Sequence, residues 1–397
     1  MAQHGQATDP YRIFFPLGII LGTAGVSIWP LYYYGLTAGY SGRAHAFVQT
    51  DGFLYAFVAG FLLTAVPRFT GTEAPSRRVQ YMLAAMVILC AAAFEFEFFV
   101  TGHTIFLVQH LFLLALVIGR FRRRQQDPPE TFPLVGIGLL SGTLAALINA
   151  GIAWNIIGPF WDPLGKRLLT EGMVMLLVLG IGGFLGPRLL GFAKLPQFVK
   201  GEDLNARGTN KTFFYAVAGA CIFLSLIAEY GFAMSAMAFV RAGAVTIVIL
   251  STLHPWLRPA VSTTLARCVW WAHWFVILAV WVVAAIPRYR IDFLHILFIG
   301  GFTLLILAIG TRVTLSHGGY ALTQERRSWP LRIGISTGFV AMIARLGAPF
   351  AGFTYFAHLA WSAILWIGGM LFWGSYVIRL IRSRPEPQLP EPLRFRR

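Results

Sequence analysis

Apolar runs of about 20 residues alternate along the chain with short charged or Pro/Gly-rich breaks. A helix that crosses a bilayer needs about 20 apolar residues, so each run is long enough to span one. The pattern predicts an all-α polytopic membrane bundle of about twelve transmembrane helices. The predicted spans are Ile13–Leu36, His45–Pro67, Val79–Val100, Gly102–Gly119, Phe132–Ile157, Leu168–Pro187, Thr212–Glu229, Phe232–Thr252, Cys268–Ile286, Phe293–Val313, Ile333–Pro349 and Ala357–Arg379.

The composition excludes a chain of soluble domains. Of the 397 residues, 57% are hydrophobic and only 12% are charged, whereas ordinary globular chains are about 25% charged. Twelve helices would use roughly 240 residues and leave no room for a sizeable soluble domain. We therefore predict one transmembrane domain over residues 1–382 and a disordered, Pro- and Arg-rich cytoplasmic tail over residues 383–397. No internal sequence repeat is evident.

The formal net charge of +16 is explained by the distribution of basic residues around the spans. With both termini placed inside, 25 of the 32 Lys and Arg residues fall on the inner side, five on the outer side and two within spans. This bias follows the positive-inside rule and predicts cytoplasmic termini in a bacterial cytoplasmic membrane. It also makes the lipid bilayer, rather than nucleic acid, the partner of these charges.

Four histidines lie at one predicted depth, near the outer ends of four spans. They are His45, His103, His295 and His358. Neutral imidazole is a common axial ligand of haem and a good ligand of copper. We therefore expect at least two of the four to converge on a cofactor. His110 lies about 10 Å deeper than His103 on the same helix face, too far away to share one ion with it.

Ionisable side chains inside spans are costly, so they normally face a cavity, a cofactor or one another. This reasoning applies to Arg345, Arg241, His110 and one of Glu95 and Glu97. For Arg345 the sequence leaves two partners open: an anionic cofactor group such as a haem propionate, or a carboxylate from Glu95, Glu97 or Glu229. It gives no reason for Arg241 to lie in the middle of the eighth span.

Two segments resemble signatures of the NnrS family of haem- and copper-containing membrane proteins associated with nitric oxide. They are HAFVQTDGFLYAFVAGFLLTAVPRFTGT from His45 to Thr72 and HILFIGGFTLLILAIGTRVTLSHGG from His295 to Gly319. Shorter matches surround His273 (WWAHWF) and Arg345 (ARLGAP) and run from Gly182 to Phe192 (GGFLGPRLLGF). The similarity follows the family order through most of the chain.

This resemblance implies haem b bound by membrane histidines, and nitric oxide as a small ligand. Family histidines correspond to His45, His273, His295 and His317, and family arginines to Arg312 and Arg345. The predicted cofactor residues are thus His45, His103, His295, His358 and Arg345, and the predicted metal ligands are His45, His295, His110 and His273. Copper is also implied, but the chain departs from the family's H-x-H-E pattern, with Phe47 replacing a histidine and Val48 a carboxylate.

Three other classes of membrane protein are alternatives to this interpretation. Haem-copper oxidases need an adjacent histidine pair and a nearby H-x-H, and neither occurs in this chain. A scaffold without a cofactor leaves the four histidines at one depth unexplained. A secondary transporter of a small anionic or polar substrate stays open, because twelve spans with intramembrane Arg and Glu describe many transporters. Enzymatic turnover stays open too, with no catalytic residue and no protein partner predicted.

Overall fold

The computed structural model describes residues 9–192 and 209–383, and these residues form helices and connecting turns with no strand. Twelve long helices follow one another along the chain. They are α1 (Tyr11–Tyr33), α2 (Gly42–Thr70), α3 (Arg77–Glu95), α4 (Phe99–Arg122), α5 (Phe132–Ala153), α6 (Pro159–Leu189), α7 (Thr209–Gly231), α8 (Met237–Leu253), α9 (Thr264–Ala285), α10 (Pro287–Gly318), α11 (Trp329–Gly347) and α12 (Tyr355–Arg382). The predicted tail, residues 383–397, lies outside the described residues except for Ser383.

Eleven of the helices in the described ranges are long and apolar enough to cross a membrane. The remaining one, α8, is apolar but has only 17 residues, a length of about 25 Å. The predicted all-α polytopic bundle is therefore confirmed.

Two helices begin more than four residues before their predicted spans, α6 at Pro159 instead of Leu168 and α10 at Pro287 instead of Phe293. The sequence pattern predicts that the charged residues before the sixth and tenth spans lie in loops. In the structure Lys166 forms an ion pair with Asp162 one turn earlier, at 2.7 Å, inside α6. Arg290, near the start of α10, bonds to Glu171 of α6. The paired charges are accommodated within the helices, so α6 starts at Pro159 and α10 at Pro287.

Helices α2, α6 and α10 form the interior of the bundle. In the most apolar segments of these three helices, 78%, 72% and 67% of the residues are buried. The same share is 28% to 61% in the other candidate spans of the described ranges. The outer helices close around them, because α1 packs against α12, α4 against α5 and α8 against α9. The chain thus forms three successive groups of four helices, each of which contributes its second helix to the centre.

These three central helices share a backbone irregularity. Each contains a π-helical stretch near its N-terminal end: Val48–Leu54, Leu168–Val174 and Ile296–Thr303. A π turn bonds residue i to i+5, inserts an extra residue and re-aims the side chains around it, and such turns occur frequently at functional sites.

The first two π-helical stretches belong to a structural repeat with an offset of 120 residues. Thr50-Asp51-Gly52 corresponds to Thr170-Glu171-Gly172, and Pro67-Arg68 corresponds to Pro187-Arg188. Thr50 and Thr170 each donate to the carbonyl four residues earlier. Each helix is followed by a glycine with positive φ, Gly71 at +66° and Gly191 at +83°, and Gly319 ends α10 at +76°. Few side chains are identical, so the repeat is recognised from the backbone.

Candidate functional site

The distal end of the bundle is the end at which α1 finishes at Tyr33 and α2 begins at Gly42. His45 lies there, on the short α-helical turn that precedes the first π-helical stretch. The Ser41 side chain caps this turn by accepting a hydrogen bond from the Ala44 amide. The His45 ring packs edge-on against Trp29, with 5.4 Å between ring centroids. The beginning of α2 therefore holds the imidazole in a fixed place.

The tautomer of His45 follows from its hydrogen bond. Its Nδ1 lies 2.6 Å from the backbone oxygen of Gly25 in α1. A carbonyl oxygen only accepts, so Nδ1 carries the proton and Nε2 keeps a free lone pair. A second hydrogen bond of this kind, from the ring nitrogen away from the metal, is what normally orients a ligating histidine.

His295 and His358 repeat this arrangement on two other helices. His295 directly precedes the π-helical stretch of α10, and its Nδ1 donates to the Ile291 oxygen at 2.8 Å. The Nδ1 of His358, on α12, donates to the Ala344 oxygen of α11 at 3.2 Å. Each ring therefore also presents Nε2 as its unprotonated nitrogen. All three imidazoles are partly buried.

Arg345 lies at the end of α11. Its guanidinium is close enough to His45 and His295 to act on both electrostatically. Ala344, whose carbonyl oxygen accepts the hydrogen bond from His358, directly precedes Arg345 in the chain. We call these four residues, His45, His295, His358 and Arg345, the distal histidine group.

The carboxylate partner of Arg345 was not among those considered from the sequence. Its Nη1 donates to Asp292 Oδ1 at 2.7 Å, and Asp292 lies one turn before His295 in α10. Glu95 and Glu97 are both exposed at the turn between α3 and α4, and Glu97 has a positive φ of 60°. The expectation that one of them faces the interior was therefore wrong. Glu229 pairs with Arg241 instead.

His103 lies apart from the distal histidine group despite its similar depth. It is fully buried between the rings of Phe47 and Phe94, with centroid distances of 4.5 and 4.9 Å. The charged side chains that act on it are Arg43, Asp162 and Lys166, not Arg345. His103, on α4, packs against a different face of α2 from the one that carries His45, because its contact Phe47 is two residues beyond His45.

His110 and His273 are buried singly in the bundle. His110 Nε2 donates to the Leu139 oxygen at 3.1 Å, and its ring packs against Gly142 of α5. His273 Nδ1 donates to the Val269 oxygen at 2.7 Å, and its Nε2, which has no hydrogen-bond partner, faces Gly182. Within the described ranges, no three His, Cys, Asp or Glu side chains come together to hold a metal ion.

Arg312 and His317 belong to the segment from His295 to Gly319, but they lie at the opposite end of α10 from the distal histidine group. His317 interacts with Arg68, whose Nη1 is 2.6 Å from Nε2, and with Asp9 at 3.6 Å. Arg312 forms a salt bridge with Glu325 at 2.7 Å. Both residues therefore tie α10 to neighbouring segments, far along the helix from His295.

Arg241 has two carboxylate partners, which the sequence did not reveal. Its Nη1 lies 2.6 Å from Glu229 Oε2 and its Nη2 lies 3.4 Å from Glu171 Oε2. Glu171 also bonds to Arg290. These residues come from α6, α7, α8 and α10, and only the three-dimensional packing brings them together.

Comparison with known proteins gives one family. The sequence pattern of the NnrS protein family matches residues 7–384. A comparison with curated proteins found no match to the chain.

Proposed function

The chain belongs to the NnrS family of membrane proteins, and from this membership together with the distal histidine group we propose that it binds haem and handles or responds to nitric oxide. The observation that carries the proposal is the pair His45 and His295. They lie on two central helices, both near the guanidinium of Arg345, and each keep Nε2 unprotonated through an Nδ1 hydrogen bond to a backbone oxygen.

The residues of the distal histidine group fit haem b. His45 and His295 would hold the haem iron through Nε2, and the carbonyls of Gly25 and Ile291 keep the two rings in the ligating tautomer. Arg345 would pair with a propionate, because Asp292 engages only one of its nitrogens. His358 is a third imidazole of the same tautomer, and it is bonded to the residue that precedes Arg345.

When bound, the haem would supply reversible ligation of nitric oxide and one-electron exchange at the iron. The chain's own contribution is to fix ligand orientation and local charge. The positive guanidinium of Arg345 disfavours added positive charge at the site, and Asp292 partly offsets it. The edge-on contact with Trp29 covers part of the His45 ring.

A copper site finds less support. The described residues offer no group of three His, Cys, Asp or Glu side chains, and Phe47 stacks on Phe94 where the family pattern has a histidine. We therefore derive no step through copper. His110 and His273 stay proposals as single ligands, each of which would need a partner from outside the protein.

The charge bias of the loops supports cytoplasmic termini in a bacterial cytoplasmic membrane. In that orientation the distal end, with the distal histidine group, faces outward. Nitric oxide is small and uncharged, so it reaches a site at this depth through the bilayer or from the outer surface.

A secondary transporter of a small anion is the second candidate function. The observation that favours it is a surplus of one positive charge at the distal end, where Arg167 adds a third guanidinium to the paired Arg241, Arg290, Glu171 and Glu229. Uptake of nitrite or nitrate into vesicles that contain the purified protein would support this function.

The proposal for haem is tested with single variants purified from haem-replete cells. We expect His45→Ala and His295→Ala to lose haem or to change from a six- to a five-coordinate spectrum. His103→Gln is the matched control, because this buried histidine lies outside the distal histidine group, and it should keep the wild-type spectrum. Wild-type spectra for both alanine variants would show that the axial assignment is wrong.

A further inference from the structure

Five charged side chains meet at the distal end, between α6, α7, α8 and α10. We call them the distal charge network. They are Arg167, Glu171, Glu229, Arg241 and Arg290. Glu171 bridges Arg241 and Arg290, and Glu229 pairs with Arg241. The side chains of Glu171, Arg241 and Arg290 are all less than a tenth exposed.

The distal charge network is not electrically balanced. It contains three guanidinium groups and two carboxylates, which leaves one positive charge in excess. Arg167 is the residue without a carboxylate contact: its guanidinium lies 3.4 Å from the centroid of the Tyr230 ring instead. Buried charges are expensive unless they are paired. The excess therefore calls for one more negative charge.

Two hydrogen-bond donors mark where that charge belongs. Arg167 Nη1 and Arg290 Nε are both buried and have no hydrogen-bond partner. Both guanidinium groups lie over the same ring, Tyr230, with Arg290 at 5.6 Å from its centroid. The two groups repel each other, so an acceptor shared by them would relieve repulsion and satisfy both donors.

This place is distinct from the distal histidine group. Arg290 and His295 lie on the same α-helical turns of α10, five residues apart, which puts them about 140° apart around the helix axis. The charged side chain that acts on His45 and His295 is Arg345, which is not part of the distal charge network. The two clusters therefore face opposite sides of α10.

We propose that Arg167 and Arg290 bind a small free oxyanion, planar and singly charged, of the class of nitrite and nitrate. One negative charge matches the excess of one. Guanidinium N–H groups lie in a plane and suit planar oxygen acceptors. The enclosure of Arg290, which is 8% exposed, selects a small free ion over the phosphate of a lipid headgroup.

Full-length protein in detergent, prepared in gluconate buffer, is titrated with sodium nitrite, nitrate and chloride while thermal unfolding is recorded. An anion that binds only the folded protein raises the unfolding temperature in a concentration-dependent way. We expect this rise at lower concentrations of nitrite and nitrate than of chloride. Equilibrium dialysis with ion chromatography should find one nitrate per chain. No such rise, or no retained nitrate, would overturn the proposal.

Arg167→Gln should abolish the response, because it removes both the excess charge and one donor. The matched control is Arg288→Gln, an exposed arginine in the first turn of α10, which should respond as wild type. Arg167→Lys keeps the charge and serves if the glutamine variant does not fold. It loses planar hydrogen bonding, so we expect the half-maximal nitrate concentration to rise about tenfold. Equal responses in all variants would indicate a general salt effect and contradict the site.

The titration is repeated with haem-free and haem-loaded protein, because a haem propionate is the rival acceptor for these donors. A free oxyanion site predicts the same response in both preparations. A response confined to haem-free protein would assign the donors to a propionate and overturn the proposal. If the protein binds no haem at all, the haem proposal fails while the oxyanion titration still reads out this site.

Discussion

Glu171 holds the distal charge network together, so neutralising it should strongly destabilise the fold. Glu171→Gln keeps the side-chain volume and removes the charge that bridges Arg241 and Arg290. The side chain is 4% exposed, and without it three guanidinium groups share the single carboxylate of Glu229. Breaking a buried ion pair costs about 3–5 kcal/mol, which is a large part of a typical stability of about 5–15 kcal/mol.

The free energy of unfolding is measured by SDS titration in mixed micelles, followed by tryptophan fluorescence. Glu95→Gln is the matched control, since Glu95 is exposed at the end of α3, and surface substitutions of this kind change stability by less than about 0.5 kcal/mol. Glu171→Gln combined with Arg290→Gln removes the charge left unpaired, so the double variant should regain part of the loss. A single variant as stable as Glu95→Gln, or a double variant less stable than the single one, would refute this reasoning.

Further predictions concern the distal histidine group and its support. Gly25→Ala places a Cβ 2.6 Å from Val48 Cγ1, so it should lower the free energy of unfolding by about 1–3 kcal/mol in the same SDS titration. Gly136→Ala is the control and should cause no such loss, because no atom lies within 4 Å of the added Cβ. Equal losses in the two variants would contradict the packing argument. Arg345→Gln should lower the haem reduction potential in a spectroelectrochemical titration, because a nearby positive charge favours the less positive reduced iron. Asp292→Asn should raise it, and shifts of the same sign would count against a direct electrostatic effect.

Hydropathy predicted the bundle because each span has to satisfy the same requirement, a run of apolar residues long enough to cross the bilayer. It also predicted a common depth for His45, His295 and His358, since depth follows from the distance to a helix end. The position around the helix axis does not follow from depth, which is why His103 was grouped with them although it faces Phe94. The predicted starts of the sixth and tenth spans were wrong, because the charged residues that precede them are paired inside α6 and α10.

The partners in long-range ion pairs could not be predicted from the sequence either. Asp292 and Arg345 are 53 residues apart, and Arg290 and Glu171 are 119 apart, so only the packing of helices selects these partners. Arg241, which had no explanation in the sequence, has two carboxylates beside it. The 120-residue repeat was also missed, because its similarity lies in π-helical turns and left-handed glycines more than in identical residues.

The most direct test of the central proposal is the absorption spectrum of the purified full-length protein from haem-replete cells, oxidised and dithionite-reduced, before and after addition of nitric oxide. Haem held by His45 and His295 predicts a Soret band, sharp α and β bands on reduction, and a shift of these bands when nitric oxide binds. A colourless protein, or a haem spectrum that nitric oxide leaves unchanged, would contradict the proposed function.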